Sequence, residues 1–302
     1  MPPVNVIAVI NQKGGVGKTT SVANLGAALA ARGHRVCLID MDPQSHLTLH
    51  MGVEPGSPAL TVYDVLTGEV PIEHAALPLP GRDRLTLVPS EIDLAAAEVE
   101  LAGTVGREQI LRERLGEAGD MADYVLIDCP PSLSVLTLNS LATAQNVLIP
   151  LQPQFLALQG LGKLLETIRL VQQRINTALR VAGVILCMYD STTKLTSEVV
   201  AEVTEFFDAG RGSREPWALA TIFQAPIRRT IKLAECPSHG KTIFEYAPGS
   251  RGAEDYDALA GELLNYFDPP PVSAPLAPEP ASAGEPGGSV SQPGLGDLDG
   301  AQ

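Results

Sequence analysis

Short apolar runs alternate along the chain with longer stretches in which apolar residues recur every third or fourth position. Continuous runs of this length are typical of strands buried on both faces, and the wider spacing is typical of helices that bury one face. The first run, residues 4–10, precedes a helical pattern over residues 18–32, which Gly33 is suited to end. Further strands are predicted at residues 35–40, 85–88, 124–127, 146–149 and 181–188, and further helices at residues 90–102 (capped by Ser90), 161–179, 195–207 and 254–267. This alternation predicts an α/β fold with a mostly parallel, twisted sheet flanked by helices.

The composition changes after Asp268. Residues 269–302 are rich in Pro, Gly, Ser and Ala, and they contain no lysine or arginine. A segment with so little apolar surface cannot offset its chain entropy, so it is predicted to be a disordered, acidic tail. Residues 1–268 then form a single domain, whose size is within the range that one hydrophobic core supports.

The charge and the cysteines narrow the class of protein. A net charge of −14 is not typical of a nucleic-acid binder, so any affinity for DNA has to come from a local basic patch. The four cysteines show no Cys-x-x-Cys spacing and are interpreted as reduced thiols. No apolar run reaches the length of a membrane span, and the N-terminal run is too short for a secretory signal. Together these features predict a cytoplasmic protein.

The strongest indication of chemistry follows the first predicted strand. Residues 12–20 read Gln-Lys-Gly-Gly-Val-Gly-Lys-Thr-Thr and lie between a predicted strand and a predicted helix, as a phosphate-binding loop requires. Glycines let backbone N–H groups turn toward anionic oxygens, the lysine reaches the β- and γ-phosphates, and the threonine hydroxyl can bind Mg²⁺. The predicted phosphate-binding residues are Gly14, Gly15, Val16, Gly17, Lys18, Thr19 and Thr20.

One detail refines this interpretation. Gln12 occupies a position where the general pattern has glycine, and Lys13 precedes the glycine pair. This variant resembles the deviant Walker A box of the ParA/MinD family of dimeric ATPases. The resemblance implies a P-loop NTPase domain that binds ATP and Mg²⁺ and forms a homodimer on ATP, with Lys18 holding the phosphates and Lys13 crossing the interface to the partner's nucleotide. The absence of an Asn-Lys-x-Asp motif favours ATP over GTP.

Carboxylates end two of the predicted strands. Asp40 and Asp42 follow one strand and can both point into the crevice above the sheet, where ligands of open α/β sheets bind. The resemblance implies that Asp42 orients the attacking water and that Asp40 supports the Mg²⁺ shell. Asp128 ends another apolar strand in the Walker B manner and is predicted to hold Mg²⁺, through water. Ser132 is placed to cap the next helix.

Three longer segments resemble ParA/Soj chromosome-partition ATPases more closely than MinD: residues 128–152, 235–243 and 251–256. The resemblance covers residues 4–267. It implies that the ATP dimer binds double-stranded DNA without sequence preference, associates with the nucleoid, and hydrolyses ATP slowly until a ParB-like partner stimulates it. The candidate DNA contacts are Arg228, Arg229, Lys232 and Lys194. Thr192 and Thr230 stand where the family has an arginine and an asparagine.

Alternatives stay open from the sequence alone. A ParA-like paralogue that positions a non-DNA cargo would carry the same motifs. A MinD-like membrane-cycling ATPase would need a basic amphipathic C-terminal helix, which the acidic tail does not provide. His46 and His50 are four residues apart and could share a helix face as metal ligands, but no third ligand pattern accompanies them.

Overall fold

The computed structural model describes residues 4–155 and 157–268. Its strands are β1 Asn5–Val9, β2 Val36–Asp40, β3 Leu77–Pro78, β4 Leu85–Val88, β5 Tyr124–Asp128, β6 Asn146–Leu151, β7 Arg180–Tyr189, β8 Thr221–Ile222 and β9 Ile227–Arg228. Its α-helices are α1 Lys18–Ala31, α2 His46–His50, α3 Val62–Thr67, α4 Ile72–Ala75, α5 Leu94–Glu100, α6 Ile110–Glu117, α7 Val135–Thr143, α8 Ala157–Arg174, α9 Lys194–Gly210, α10 Ile231–Glu235, α11 Ile243–Tyr246 and α12 Arg251–Phe267. Short 3-10 helices follow α5 and α10, at Leu101–Gly103 and Cys236–His239.

The strands form one sheet in the order β3-β4-β2-β5-β1-β6-β7-β8, and β9 pairs with a later stretch of β7. Every pairing is parallel except that of β3 with β4. The carboxyl ends of β1, β5 and β2 therefore lie side by side at one edge. Asp40 and Asp128 are direct register partners there, so the two predicted carboxylates are neighbours.

Helices cover both faces of the sheet. Alternate residues of β1 and β2 pack into different cores: Val6 and Cys37 face the side covered by α3 to α9, whereas Ile7 and Leu38 face α1, α2 and α12. Burial on both faces explains why these strands are continuous apolar runs. Helix α1 lies especially close to the sheet, since a Cβ atom on Gly26 would lie only 2.6 Å from Leu38 Cδ2.

The predicted α/β fold, with a mostly parallel sheet flanked by helices, is confirmed. Two predicted caps are wrong. The Ser90 hydroxyl donates to the carbonyl of Asp42 instead of capping, and α5 begins four residues later than predicted, at Leu94. Ser134, and not Ser132, caps α7, because its hydroxyl accepts from the N–H of Leu136.

The helix predicted over residues 161–179 is shifted toward the N-terminus. It begins at Ala157 and ends at Arg174. Asn176 lies just beyond this end, and its side-chain amide donates to the carbonyls of Leu141 and Ala144, which draws the chain away from the helix axis. The predicted tail, residues 269–302, lies outside the described residues, so its disorder and the domain boundary at residue 268 stay predictions.

Candidate functional site

The glycine loop joins the end of β1 to the start of α1. Gly15 and Gly17 have φ angles of 71° and 96°, in the left-handed region that glycine adopts without strain. Gly17 is the N-cap of α1, and no side chain caps this end of the helix. The first N–H groups of a fourteen-residue helix are therefore free to bind an anion, which the helix dipole also favours.

The loop is anchored to the neighbouring strand and encloses its lysine. Asn11 donates through Nδ2 to the carbonyl of Pro150 on β6 (2.7 Å) and accepts through Oδ1 from the N–H of Lys13 (3.0 Å). The Lys18 side chain is largely buried, and its Nζ lies 3.4 Å from the carbonyl oxygen of Lys13. This places one ammonium group inside the loop, where phosphate oxygens would lie.

Asp128 and Thr19 meet beneath the loop. The Thr19 hydroxyl donates to Asp128 Oδ2 at 2.7 Å, whereas Asp128 Oδ1 is buried and has no hydrogen-bond partner among the described residues. Burial raises the pKa of Asp128 well above its usual value, and the neighbouring charge of Asp40 raises it further. A buried, unpaired carboxylate oxygen beside a hydroxyl is a suitable donor set for Mg²⁺, which prefers oxygen ligands.

The described residues contain no group of three or more His, Cys, Asp or Glu side chains that could hold a metal ion by itself. An ion at Thr19 and Asp128 would therefore take its other ligands from phosphate oxygens and water, as Mg²⁺ usually does. His46 and His50 do lie on one short helix, α2, but no third ligand joins them within residues 4–155 and 157–268.

Asp40 is buried beside Asp128 but is already engaged. Its Oδ2 accepts from both the N–H and the hydroxyl of Thr48, at 2.9 and 2.8 Å, and its Oδ1 accepts from the N–H of Asp42 at 3.2 Å. Burial raises the pKa of Asp40 to about 6, and these hydrogen bonds oppose the shift. The Asp40 carboxylate thus fixes the turn that carries Asp42. Its role in supporting the Mg²⁺ shell stays a prediction.

Asp42 and Lys13 lie at the mouth of the site. Asp42 is half-buried and accepts from the N–H of Gln44 at 3.0 Å. The Lys13 side chain is exposed, and its Nζ donates to Gln154 Oε1 at 2.9 Å. Lys13 therefore points away from the loop that its own backbone helps to form, whereas Lys18 points into it.

A cleft of about 1210 Å³ extends from the glycine loop across the top of the sheet. One wall carries Asp42 and α2, and another carries residues 227–230 and 237–238. Met188 also lines the cleft and has a φ of 51°, unusual for a residue other than glycine. The anchoring roles of Asn11 and Thr48 could not be predicted from local pattern, because Asn11 contacts Pro150, 139 residues away, and Thr48 contacts Ser90, 42 residues away.

The four predicted DNA contacts do not form one free basic patch. Arg228 pairs with the buried carboxylate of Asp255, through its own N–H and its guanidinium, and with Glu254. Lys232 pairs with Glu235 and Lys194 with Glu198, whereas Arg229 is exposed and forms no ion pair among the described residues. Thr192 stands where the family has an arginine. Its N–H and hydroxyl both donate to Asp190 and close a turn.

His50 lies buried where α2 packs on the Cys236–His239 segment, and neither ring nitrogen has a partner within the described residues. Burial lowers the pKa of His50 from 6.5 to about 4. The nearby Lys241 backbone and the charge of Glu245 oppose this shift, and the charge of Arg82 adds to it. The unfolded chain binds the His50 proton more tightly than the folded protein does. The contribution of neutral His50 to the free energy of unfolding is therefore present above pH 6.5 and is lost as the pH falls toward 4.

We expect the free energy of unfolding to fall by about 2 kcal/mol from pH ~7 to pH ~5 because of His50. Urea unfolding of His50→Leu should show a smaller loss over this interval than the wild type. His46→Leu, on the exposed side of the same helix, is the matched control and should keep the wild-type pH dependence. Equal losses in all three proteins would contradict the assignment.

Comparisons with known proteins agree with this geometry. A family model described as an AAA domain matches residues 4–181. The chromosome-partitioning ATPase Soj of Treponema pallidum is 45% identical over 258 residues, which cover 85% of this chain and 96% of that protein. The chromosome partitioning protein ParA of Myxococcus xanthus is 42% identical over 264 residues, covering 87% and 89% of the two chains.

Solved structures give the same fold. A Mycobacterium smegmatis protein described as cobyrinic acid a,c-diamide synthase, crystallised with ADP and magnesium, is 38% identical with a TM-score of 0.74, covering 88% of this chain and 96% of that one. The cell division ATPase MinD of Pyrococcus furiosus is 26% identical with a TM-score of 0.69, covering 86% and 98%.

Proposed function

Because this chain belongs to the ParA/Soj family of chromosome-partitioning ATPases, we propose that it is an ATP-switched partition protein of the cytoplasm. It binds Mg²⁺-ATP, forms a homodimer around two nucleotides, binds nucleoid DNA in that state, and is reset by a ParB-like partner. The observation that carries the proposal is the contact of Thr19 with Asp128 beneath a loop in which Gly15 and Gly17 are left-handed. The amide-forming activity named for the M. smegmatis structure is less favoured, because the partition proteins are more similar over the same span.

The chemistry requires positioning and charge neutralisation more than covalent help. The backbone N–H groups of the loop and the Lys18 ammonium hold the β- and γ-phosphates. Thr19 and Asp128 would hold Mg²⁺, which would neutralise phosphate charge. Asp42 orients a water molecule, whose oxygen bonds to the γ-phosphorus as the bond to the ADP oxygen breaks. Lys13 of the opposite protomer stabilises the charge that develops in this step, so turnover depends on dimerisation and is slow without a partner protein.

The charges of the folded body restrict where DNA can contact it. The folded body is acidic, and three of the four candidate cations are paired with carboxylates. Arg229 is the candidate that is exposed and free of an ion pair among the described residues. We therefore place the main phosphate contact on Arg229, with Lys232 and Lys194 contributing where their partners release them. Contacts of this kind make binding strongly salt-dependent.

Each alternative function differs from the proposed one in a single component. A paralogue that positions a non-DNA cargo would keep the ATP cycle but bind no DNA. A MinD-like cycle would require membrane contact. Helix α12, the last described helix, carries four carboxylates and one arginine. None of the helices in the described part of the chain has the length and apolar character that a bilayer span requires.

The proposal is tested by measuring ATP hydrolysis by the full chain alone, with nonspecific duplex DNA, and with DNA plus a ParB-like protein. We expect slow turnover alone and stimulation when DNA and the partner are both present. Lys18→Ala is the control for contaminating ATPases and should be inactive in every mixture. An active cycle without any effect of DNA would support the non-DNA paralogue instead.

Two arginines separate the DNA contact from the structural ion pair. Arg229→Ala should lose retention on nonspecific DNA with ATP at low salt while keeping the wild-type melting temperature. Arg228→Ala should instead lower stability, by ~1–2 kcal/mol, because the buried Asp255 carboxylate loses the partly exposed guanidinium and keeps only the backbone N–H of residue 228. Calorimetry and filter binding on both variants check the distinction. Full DNA retention by Arg229→Ala, or no DNA binding by the wild type, would remove this contact.

A further inference from the structure

Helix α5 has one apolar stripe in the core. Leu94, Ala97 and, beyond the helix end, Leu101 follow the three-to-four spacing and are buried. They pack in the same core as α3, which lies beside them. This stripe anchors α5 in the core beside α3, as in an ordinary surface helix.

A second apolar stripe on the same segment faces solvent. Ile92 and Val99 are seven residues apart and are 67% and 77% exposed. Ala95 and Ala96 lie between them and are also exposed. Single exposed apolar residues need no explanation, but residues 92, 95, 96 and 99 share one face at helical spacing. We call this face, Ile92, Ala95, Ala96 and Val99, the α5 stripe.

The α5 stripe is surrounded by negative charge. Glu91, Asp93, Glu98 and Glu100 flank it, and residues 85–106 contain no lysine or arginine. Two of these carboxylates are fixed by hydroxyl donors, since Thr61 donates to Glu91 and Tyr63 to Glu100. An apolar centre with a charged rim is the usual anatomy of a protein interface.

The α5 stripe also borders the nucleotide cleft. Ala95 and Glu98 line the cleft that contains Lys18 and Asp42. A molecule that covers the α5 stripe would therefore touch the rim beside the residues proposed to position the attacking water.

The negative charge around the α5 stripe determines which molecules could bind there. The chain's own residues 269–302 carry four carboxylates and no cation, so they would be repelled. A second copy docking through the same face would place carboxylates against carboxylates, which is also unfavourable. We propose that the α5 stripe is the docking surface for a basic, amphipathic segment of a regulatory partner protein. This deepens the proposed function, on which its regulatory meaning rests, by locating where the partner binds.

A synthetic probe tests the surface directly. The probe is a fluorescent amphipathic helical peptide of leucine, alanine and lysine, and its counterpart has glutamate in place of lysine. Anisotropy is measured with the full chain at low and high salt, with and without ATP. The double variant Ile92→Ser/Val99→Ser removes the apolar centre. Leu219→Ser, which changes an exposed apolar residue on another surface, is the matched control.

We expect the lysine peptide to bind the wild type and Leu219→Ser alike, and the double variant about tenfold more weakly. Higher salt should weaken binding, and the glutamate peptide should not bind. Equal binding to the double variant, or equal binding of the two peptides, would overturn the proposal. So would loss of the ATP dimer in the double variant by light scattering, since that would identify a second copy as the occupant. Absence of ATP turnover in the wild type would remove the proposed function while leaving the peptide result readable.

Discussion

Replacing Lys13 with alanine should lower ATP turnover by ~10³-fold while nucleotide affinity stays close to that of the wild type, because a charge supplied across an interface acts on the transition state. The structure supports separate roles for the two lysines in turnover and in binding. The Lys13 amine is exposed and hydrogen-bonded to Gln154, whereas Lys18 lies inside the loop. Single-turnover hydrolysis and binding of a fluorescent ATP analogue provide the two measurements. Asp42→Ala should give the same pattern, through loss of the positioned water.

Two controls isolate the role of Lys13. Lys163→Ala removes an exposed lysine from α8 and should leave turnover unchanged. Gln154→Ala removes the resting partner of Lys13 and should also stay active, which would show that the amine acts elsewhere during catalysis. Wild-type turnover in Lys13→Ala would refute the assignment of this lysine to catalysis.

Replacing Asp128 with asparagine should impair activity and stabilise the nucleotide-free protein at the same time. Activity should fall by ~10–100-fold, as expected when a group that orients a metal site is removed. The folded state should be more stable, with a higher melting temperature, because a buried carboxylate with an unpaired oxygen and a like-charged neighbour is replaced by a neutral amide. Calorimetry without nucleotide and an ATPase assay with Mg²⁺ measure the two effects.

Asp123→Asn is the matched control at the other end of the same strand. Asp123 accepts hydrogen bonds from the backbone and guanidinium of Arg35, and these contacts lower its pKa. Its neutral variant should therefore be less stable than the wild type and should keep its ATPase activity. A lower melting temperature for Asp128→Asn as well would contradict the view that Asp128 is held at a cost to folding.

The sequence predicted what depends on local pattern. Continuous apolar runs located the buried strands, and parallel pairing then required Asp40 and Asp128 to meet at one edge. The glycine loop was recognisable because its backbone chemistry demands particular residues at fixed spacing. Nothing local distinguished Ser132 from Ser134 as a helix cap, since serine is a favoured N-cap residue at either position.

Long-range contacts were beyond the sequence. Arg228 was predicted as a DNA contact, which stays a prediction, but its ion-pair partner Asp255, 27 residues away on another element, could not be foreseen. Asp40 was predicted to support the Mg²⁺ shell, which stays a prediction, but its two hydrogen bonds from Thr48 could not be foreseen. Exposure of the α5 stripe was equally unpredictable, because the spacing of Ile92 and Val99 also fits a buried face. Each case depends on which neighbour the fold supplies.

The burial of the cysteines gives the chain a practical use in following its own cycle. Cys37, Cys129, Cys187 and Cys236 are all buried and unpaired with one another, and burial raises the pKa of each thiol. Thiols of this kind react slowly with maleimide dyes at neutral pH. A single cysteine introduced at an exposed position such as Val105 would thus be labelled selectively in the otherwise native sequence. Energy transfer between two labelled copies could then report pairing in real time.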